Sequence, residues 1–234
     1  MVMTGEAWEQ KSTDSIPMLL YLRDKTSERK VLLFNCACCR RIWAKLDSED
    51  QVAIEHAEAH PDDPAALQEL QLRLEPERSA ALAMVGLMDR TAHPVSDSLA
   101  QLLTNRTNLR MRLLGGLGWG IGSLAHHSAL AASGEPVWKG SAAQALELRA
   151  QAELVREVFG NPFRPISLDL HWLTSNVVDL ARTIYGEQAC ARLPILADAL
   201  MDAGCENADI LEHCKRTGPH VRGCWVVDLL LGQK

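Results

Sequence analysis

The side chains best suited to chemistry in this chain are its thiols and imidazoles, seven cysteines and eight histidines. Cys36 and Cys39 carry the C-x-x-C spacing inside a stretch of helical periodicity. That spacing puts both sulfurs on one helix face, within reach of one tetrahedral ion. His220 and Cys224 stand four positions apart just after the turn at Gly218-Pro219. Cys36, Cys39, His220 and Cys224 together form a Cys3His donor set, the zinc site expected here. It would fasten an early helix to the C-terminal segment, and a zinc so held contributes directly to folding.

A rival set is Cys205, Cys214, His220 and Cys224, with gaps of eight, five and three residues. Those gaps resemble the CCCH-type RNA-binding zinc finger with its last two ligand types exchanged. Such fingers are basic and loop-rich, whereas 207–215 reads as a regular helix. A third reading pairs Cys224 or Cys39 with His220 in nucleophilic or metal-assisted catalysis. Against all three stands the ordinary behaviour of a cysteine thiol, which is to pack as a small buried hydrophobe.

Other constellations carry less. Arg40, Arg41, Lys215, Arg216 and Arg222 lie beside thiols and would make an anion site if they converged. Salt bridges to Asp198, Asp202, Asp209, Glu212 and Asp228 are the simpler expectation, since 30 acidic residues face 24 basic ones. His56 and His60 have an i, i+4 spacing but lack the H-E-x-x-H order of a metalloprotease, and they read as a helix surface. His126-His127 diverge by about 100° around a helix and suit joint ligation poorly. Gly115 to Gly122 fits neither phosphate-binding glycine pattern, and no G-x-S-x-G elbow is present. Trp43, Trp172 and Trp225 are expected to anchor the core.

The elements that must position these groups are helical. Apolar residues make up 47% and charged residues 23% of the 234, as in an ordinary globular protein. Alanine and leucine dominate while β-branched residues are thin, which favours helix over sheet. Helices are expected over 16–22, 28–46, 48–60, 64–74, 76–90, 94–103, 141–158, 169–185, 195–203 and 208–215. Gly186 would close the helix over 169–185, and Pro194 and Asn207 would start the last two. The run Cys224 to Leu231 fits helix or strand. No linker or repeat stands out, so residues 1–234 read as one all-α, bundle-like domain with a soft division near 91–140.

The formal net charge of −6 argues against a protein that coats nucleic acid. The start Met1-Val2-Met3-Thr4-Gly5-Glu6 has no apolar leader core, and an odd cysteine count does not suit a secreted disulfide framework. Reduced thiols and a cytoplasmic location are therefore expected. Leu113 to Gly134 is uncharged, but its glycines, histidines and serines fit a buried helix entered by a turn, not a membrane span.

Four motifs resemble those of a family of uncharacterised proteins abundant in planctomycete bacteria. They are Asn161-Pro162-Phe163-Arg164-Pro165, the run Leu193-Pro194-Ile195-Leu196-Ala197-Asp198-Ala199-Leu200, Ala203-Gly204-Cys205, and His220-Val221-Arg222-Gly223-Cys224-Trp225. Cys36-Ala37-Cys38-Cys39-Arg40-Arg41-Ile42-Trp43 is similar to the same family. The resemblance covers about the first 60 and last 80 residues and implies no activity. The expected function is a non-catalytic binding or regulatory module for a protein partner, held together by zinc.

Overall fold

The computed structural model of the protein describes residues 3–9, 14–22, 25–41, 43–45, 48–63 and 142–233. The glycine-rich stretch 115–122, His126-His127, the helices expected over 64–74, 76–90 and 94–103, and the division near 91–140 lie outside the described residues. Among the described residues all regular structure is helical, as the composition predicts. They fall into two compact units, an internal one of Thr13–Gln151 and a terminal one made of Met1–Ser12 with Ala152–Lys234.

In the internal unit, Asp14 opens α1 (Ser15–Leu22) by accepting the Ile16 amide at 2.9 Å, and Met18, Leu19 and Leu22 are buried. The Ser27 hydroxyl caps α2 (Glu28–Arg40) by accepting from the Lys30 amide at 3.3 Å. The α2 helix ends six residues sooner than its periodicity suggests. The Arg41 amide bonds both Cys38 O and Cys39 O, and a short 3-10 turn follows at Trp43–Lys45. α3 (Ser48–Ala59) packs along α2 and buries Ile54 and Ala57.

Two buried glutamates explain where the basic end of α2 goes. Arg40 forks onto Glu58, with Nη2 2.6 Å from Oε2, and lies 4.0 Å over the Trp43 ring. Arg41 forks onto Glu147 of α4 (Ala142–Phe159), with Nη2 2.9 Å from Oε2. Burying a carboxylate without a partner costs several kcal/mol, and the planar guanidinium satisfies both of its oxygens. These arginines are therefore committed to structure and do not converge as an anion site. Cys36, Cys38 and Cys39 are all buried, and burial pushes the Cys36 and Cys38 thiols well above their ordinary range.

The terminal unit is built from the last turns of α4 with α5 (Ser175–Glu187), α6 (Leu193–Asp202), α7 (Ala208–Lys215) and α8 (Trp225–Leu231). Val177, Ala181, Leu196, Leu200, Ile210 and Val226 lie at its centre, each fully buried. The single helix expected over 169–185 is divided. Asp169 caps a 3-10 turn at Leu170–Trp172, and the Thr174 hydroxyl then starts α5 by accepting the Val177 amide at 3.4 Å. Gly186 lies inside α5, and the left-handed residue that ends the helix is Gln188, at φ 53°. Pro194 and Asn207 sit at their helix starts as expected. The ambiguous final run is helical and stops at Gly232, at φ 67°.

A short N-terminal helix, Gly5–Glu9, belongs to this unit. Trp8 meets Phe163 edge to face at 6.2 Å, and its carbonyl accepts from Arg156 Nε at 3.3 Å and Nη2 at 3.2 Å. Among the described tryptophans Trp8 is the fully buried one, at 2% exposure, whereas Trp43, Trp172 and Trp225 are half-buried.

Gly160 closes α4 at φ +66°, and a Cβ there would lie 3.2 Å from two ring carbons of Trp225. Only glycine combines that backbone with so close an indole. Gly160→Ala is expected to lower unfolding free energy by roughly 1–2 kcal/mol for the left-handed backbone, and by more where Trp225 is displaced. Urea denaturation of the two chains measures it.

Candidate metal centre

Four polar side chains of the terminal unit converge in its interior. Glu157 projects from the last turn of α4, His213 from the last turn of α7, His220 from the loop after Gly218-Pro219, and Cys224 from the residue that starts α8. One ligand atom from each lies within 4.8 Å of all the others. A tetrahedral zinc with bonds of 2.0–2.3 Å separates its ligands by about 3.3–3.6 Å, so the group is near coordination size without rearrangement of the helices. Carboxylate, imidazole and thiolate are all zinc donors.

Glu157 is the hub. It has no exposed surface, yet both oxygens are engaged. Oε1 lies 3.1 Å from His220 Nδ1, while Oε2 receives Arg216 Nη2 and lies 3.4 Å from His213 Nε2. Burial alone would raise this carboxyl, but hydrogen bonds from His213 and His220 outweigh it and hold Glu157 well below the usual carboxylate range.

The tautomer of His213 follows from its neighbour. Trp225 Nε1 is 2.8 Å from His213 Nδ1, and an indole N–H can only donate. His213 Nδ1 therefore accepts, and the proton of the neutral ring sits on Nε2, 3.1 Å from Cys224 Sγ. A second proton would cost the Trp225 bond. Burial in any case pushes His213 below the ordinary imidazole range. His220 is placed differently. Its Nε2 is 3.3 Å from the Arg216 carbonyl, while Nδ1 lies 3.1 Å from Glu157 Oε1. Burial, and next the charge of Glu157, push the Cys224 thiol well above its ordinary range.

Of the residues singled out in the sequence, the structure brings His220 and Cys224 together. Cys36 and Cys39 lie on α2 of the internal unit. Cys205 and Cys214 are buried in the apolar core of the terminal unit and are not members of the four-residue group. Burial first pushes the Cys214 thiol up to about 12. His56 and His60 stack at 4.7 Å on α3 and just beyond its end. Lys215 approaches Asp198 at 3.9 Å, as expected of a solvated face, but Arg216 pairs with buried Glu157 instead of a surface acid.

Glu157 and His213 escaped the sequence reading. Glu157 follows Leu154 by three positions and His213 follows Ile210 by three, so each sits on the same side of its helix as a buried apolar residue. A charged or titratable group on such a face was the available signal.

No family model matches the chain, and no curated protein or solved structure matches it either.

The two shifted groups set one pH dependence with one sign. His213 is harder to protonate folded than unfolded, so its contribution is complete above about 6.5 and declines as pH falls below that. Glu157 is harder to protonate folded than unfolded, so its contribution is complete above about 4.3 and is lost on further acidification. The urea midpoint is expected to fall between pH 7 and 5 and again below 4.3. His213→Gln should flatten the first decline selectively. An unchanged slope in that variant would remove His213 as its source.

Proposed function

We propose that the protein is a non-catalytic binding or regulatory module whose terminal unit holds one zinc ion on the Glu157, His213, His220 and Cys224 group. The observation that carries this reading is the mutual approach of four zinc-type donors from three helix ends and a loop. Each side chain is brought in by a different segment, so an ion in the group would fasten the end of α4, the His220 loop and the start of α8, with the end of α7 tied to it through His213. The ion's binding free energy then adds to the stability of that arrangement.

The same geometry argues against a thiol enzyme. A nucleophilic Cys224 needs a base that can take its proton. His213 Nε2 already carries one while Trp225 holds the other nitrogen, and Cys224 is only 3% exposed. RNA binding has little support either. Arg40, Arg41 and Arg216 are spent on Glu58, Glu147 and Glu157, and the net charge is −6. A protein is the partner class that this charge balance favours over a polyanion.

Metal analysis of the purified untagged chain is expected to find one zinc per molecule. His220→Ala and Cys224→Ser should each abolish stoichiometric retention. Zinc at 100 times its dissociation constant is expected to stabilise the fold by about 2.7 kcal/mol, and chelation should remove that increment from the unfolding curve. Thiol reagents should act slowly on the loaded protein. A chain that takes up no zinc, or one that shows a single fast-reacting thiol near neutral pH, overturns the proposal.

A further inference from the structure

The geometry points to a centre with three protein ligands, Glu157 Oε1, His220 Nδ1 and Cys224 Sγ, in which His213 is not a ligand but an N–H donor to the sulfur, positioned by Trp225. This assignment rests on the zinc reading above and goes beyond it. It says which atoms touch the ion and leaves the fourth position to a water molecule.

Hydrogen bonding decides the matter. A histidine that binds a metal through one nitrogen carries its proton on the other and donates it to a carbonyl or carboxylate. His220 has that arrangement, because Nε2 faces the Arg216 carbonyl at 3.3 Å while Nδ1 faces the centre. His213 has the opposite one. The nitrogen away from the centre faces the Trp225 N–H at 2.8 Å, so it must present a lone pair. To bind an ion, Nε2 would have to give up its proton. The ring would then either become an imidazolate or move the proton to Nδ1, against the indole hydrogen. While Trp225 keeps its place, His213 donates Nε2–H instead, with Cys224 Sγ at 3.1 Å and Glu157 Oε2 at 3.4 Å in reach, and a metal-bound thiolate is the nearer acceptor.

The remaining contacts fit this set. Arg216 Nη2 binds Glu157 Oε2, leaving Oε1 as the free donor beside His220 Nδ1. Loading the site would release the Cys224 thiol proton to solvent and leave the single proton of neutral His220 on Nε2, so that Nδ1 presents its lone pair to the cation. Trp225 packs for its part against Gly160, where an added Cβ would come within 3.2 Å of the indole. A donor to a bound thiolate withdraws charge from sulfur, so His213 and Trp225 would tune the metal–sulfur bond without touching the ion.

The test uses the intact chain loaded with Co2+ as a spectroscopic stand-in for zinc. His213→Gln is expected to keep one cobalt per chain, with affinity about 10-fold to 100-fold weaker, the usual cost of losing an outer-shell partner. Its sulfur-to-cobalt charge-transfer band should shift, because the sulfur loses its N–H donor. Trp225→Phe should free the His213 tautomer, and its cobalt spectrum should move toward a higher nitrogen count. A second measurement needs no variant. Long-range 1H–15N spectra of the zinc-loaded wild type should show His213 still protonated at Nε2 and His220 protonated at Nε2 alone. Loss of cobalt from His213→Gln with the fold intact by circular dichroism, or a zinc-shifted His213 Nε2 resonance, overturns the assignment while leaving the zinc reading standing. Absence of metal from the wild type overturns both.

Discussion

A carboxylate with no exposed surface must have every oxygen lone pair answered from within the protein, and Glu157 imposes that requirement on the terminal unit. Its neighbours are what the chain supplies in answer. The end of α7 provides His213, Arg216 follows three positions later just past the helix, and the Gly218-Pro219 turn returns the chain so that His220 can approach. Removing any one partner leaves a buried charge short of a bond, a far larger loss than a surface ion pair would give. The candidate site is therefore a packing device in its own right, and the proposed ion would draw on the same few atoms that hold the fold.

The internal unit meets the same demand twice. Glu58 and Glu147 are buried, and each is forked by an arginine from the end of α2. Adjacent residues, Arg40 and Arg41, point to different partners, which fixes the rotation of that helix end. Glu157 differs from the other two in having imidazoles as well as a guanidinium around it. That difference separates a structural ion pair from a group whose neighbours are of metal-ligand type.

Helix content and most helix starts were legible because they rest on local rules. Ser27, Asn207 and Pro194 act within one turn of themselves, and the structure shows them doing so. The division of 169–185 was not read, because Asp169 and Thr174 are both good caps and periodicity continues across the break. Half of the candidate site was legible for the same reason. His220 and Cys224 lie close together in sequence and flag themselves by type. Glu157 is 63 residues from His220, and its place three positions after Leu154, on the buried side of α4, is the local sign of its burial. Cys36 and Cys39 are both buried on α2, and a C-x-x-C spacing in a helix is shared by a ligand pair and by an apolar face that contains cysteine.

The terminal unit is assembled from both extremities of the chain, and this has a consequence for synthesis. Trp8 and the Arg156 guanidinium that reaches its carbonyl are 148 residues apart. At 5–20 residues per second, translation leaves the indole waiting roughly 7–30 s for its seat. Throughout that interval the nascent chain carries a large greasy ring without its native cover, while the whole intervening segment emerges.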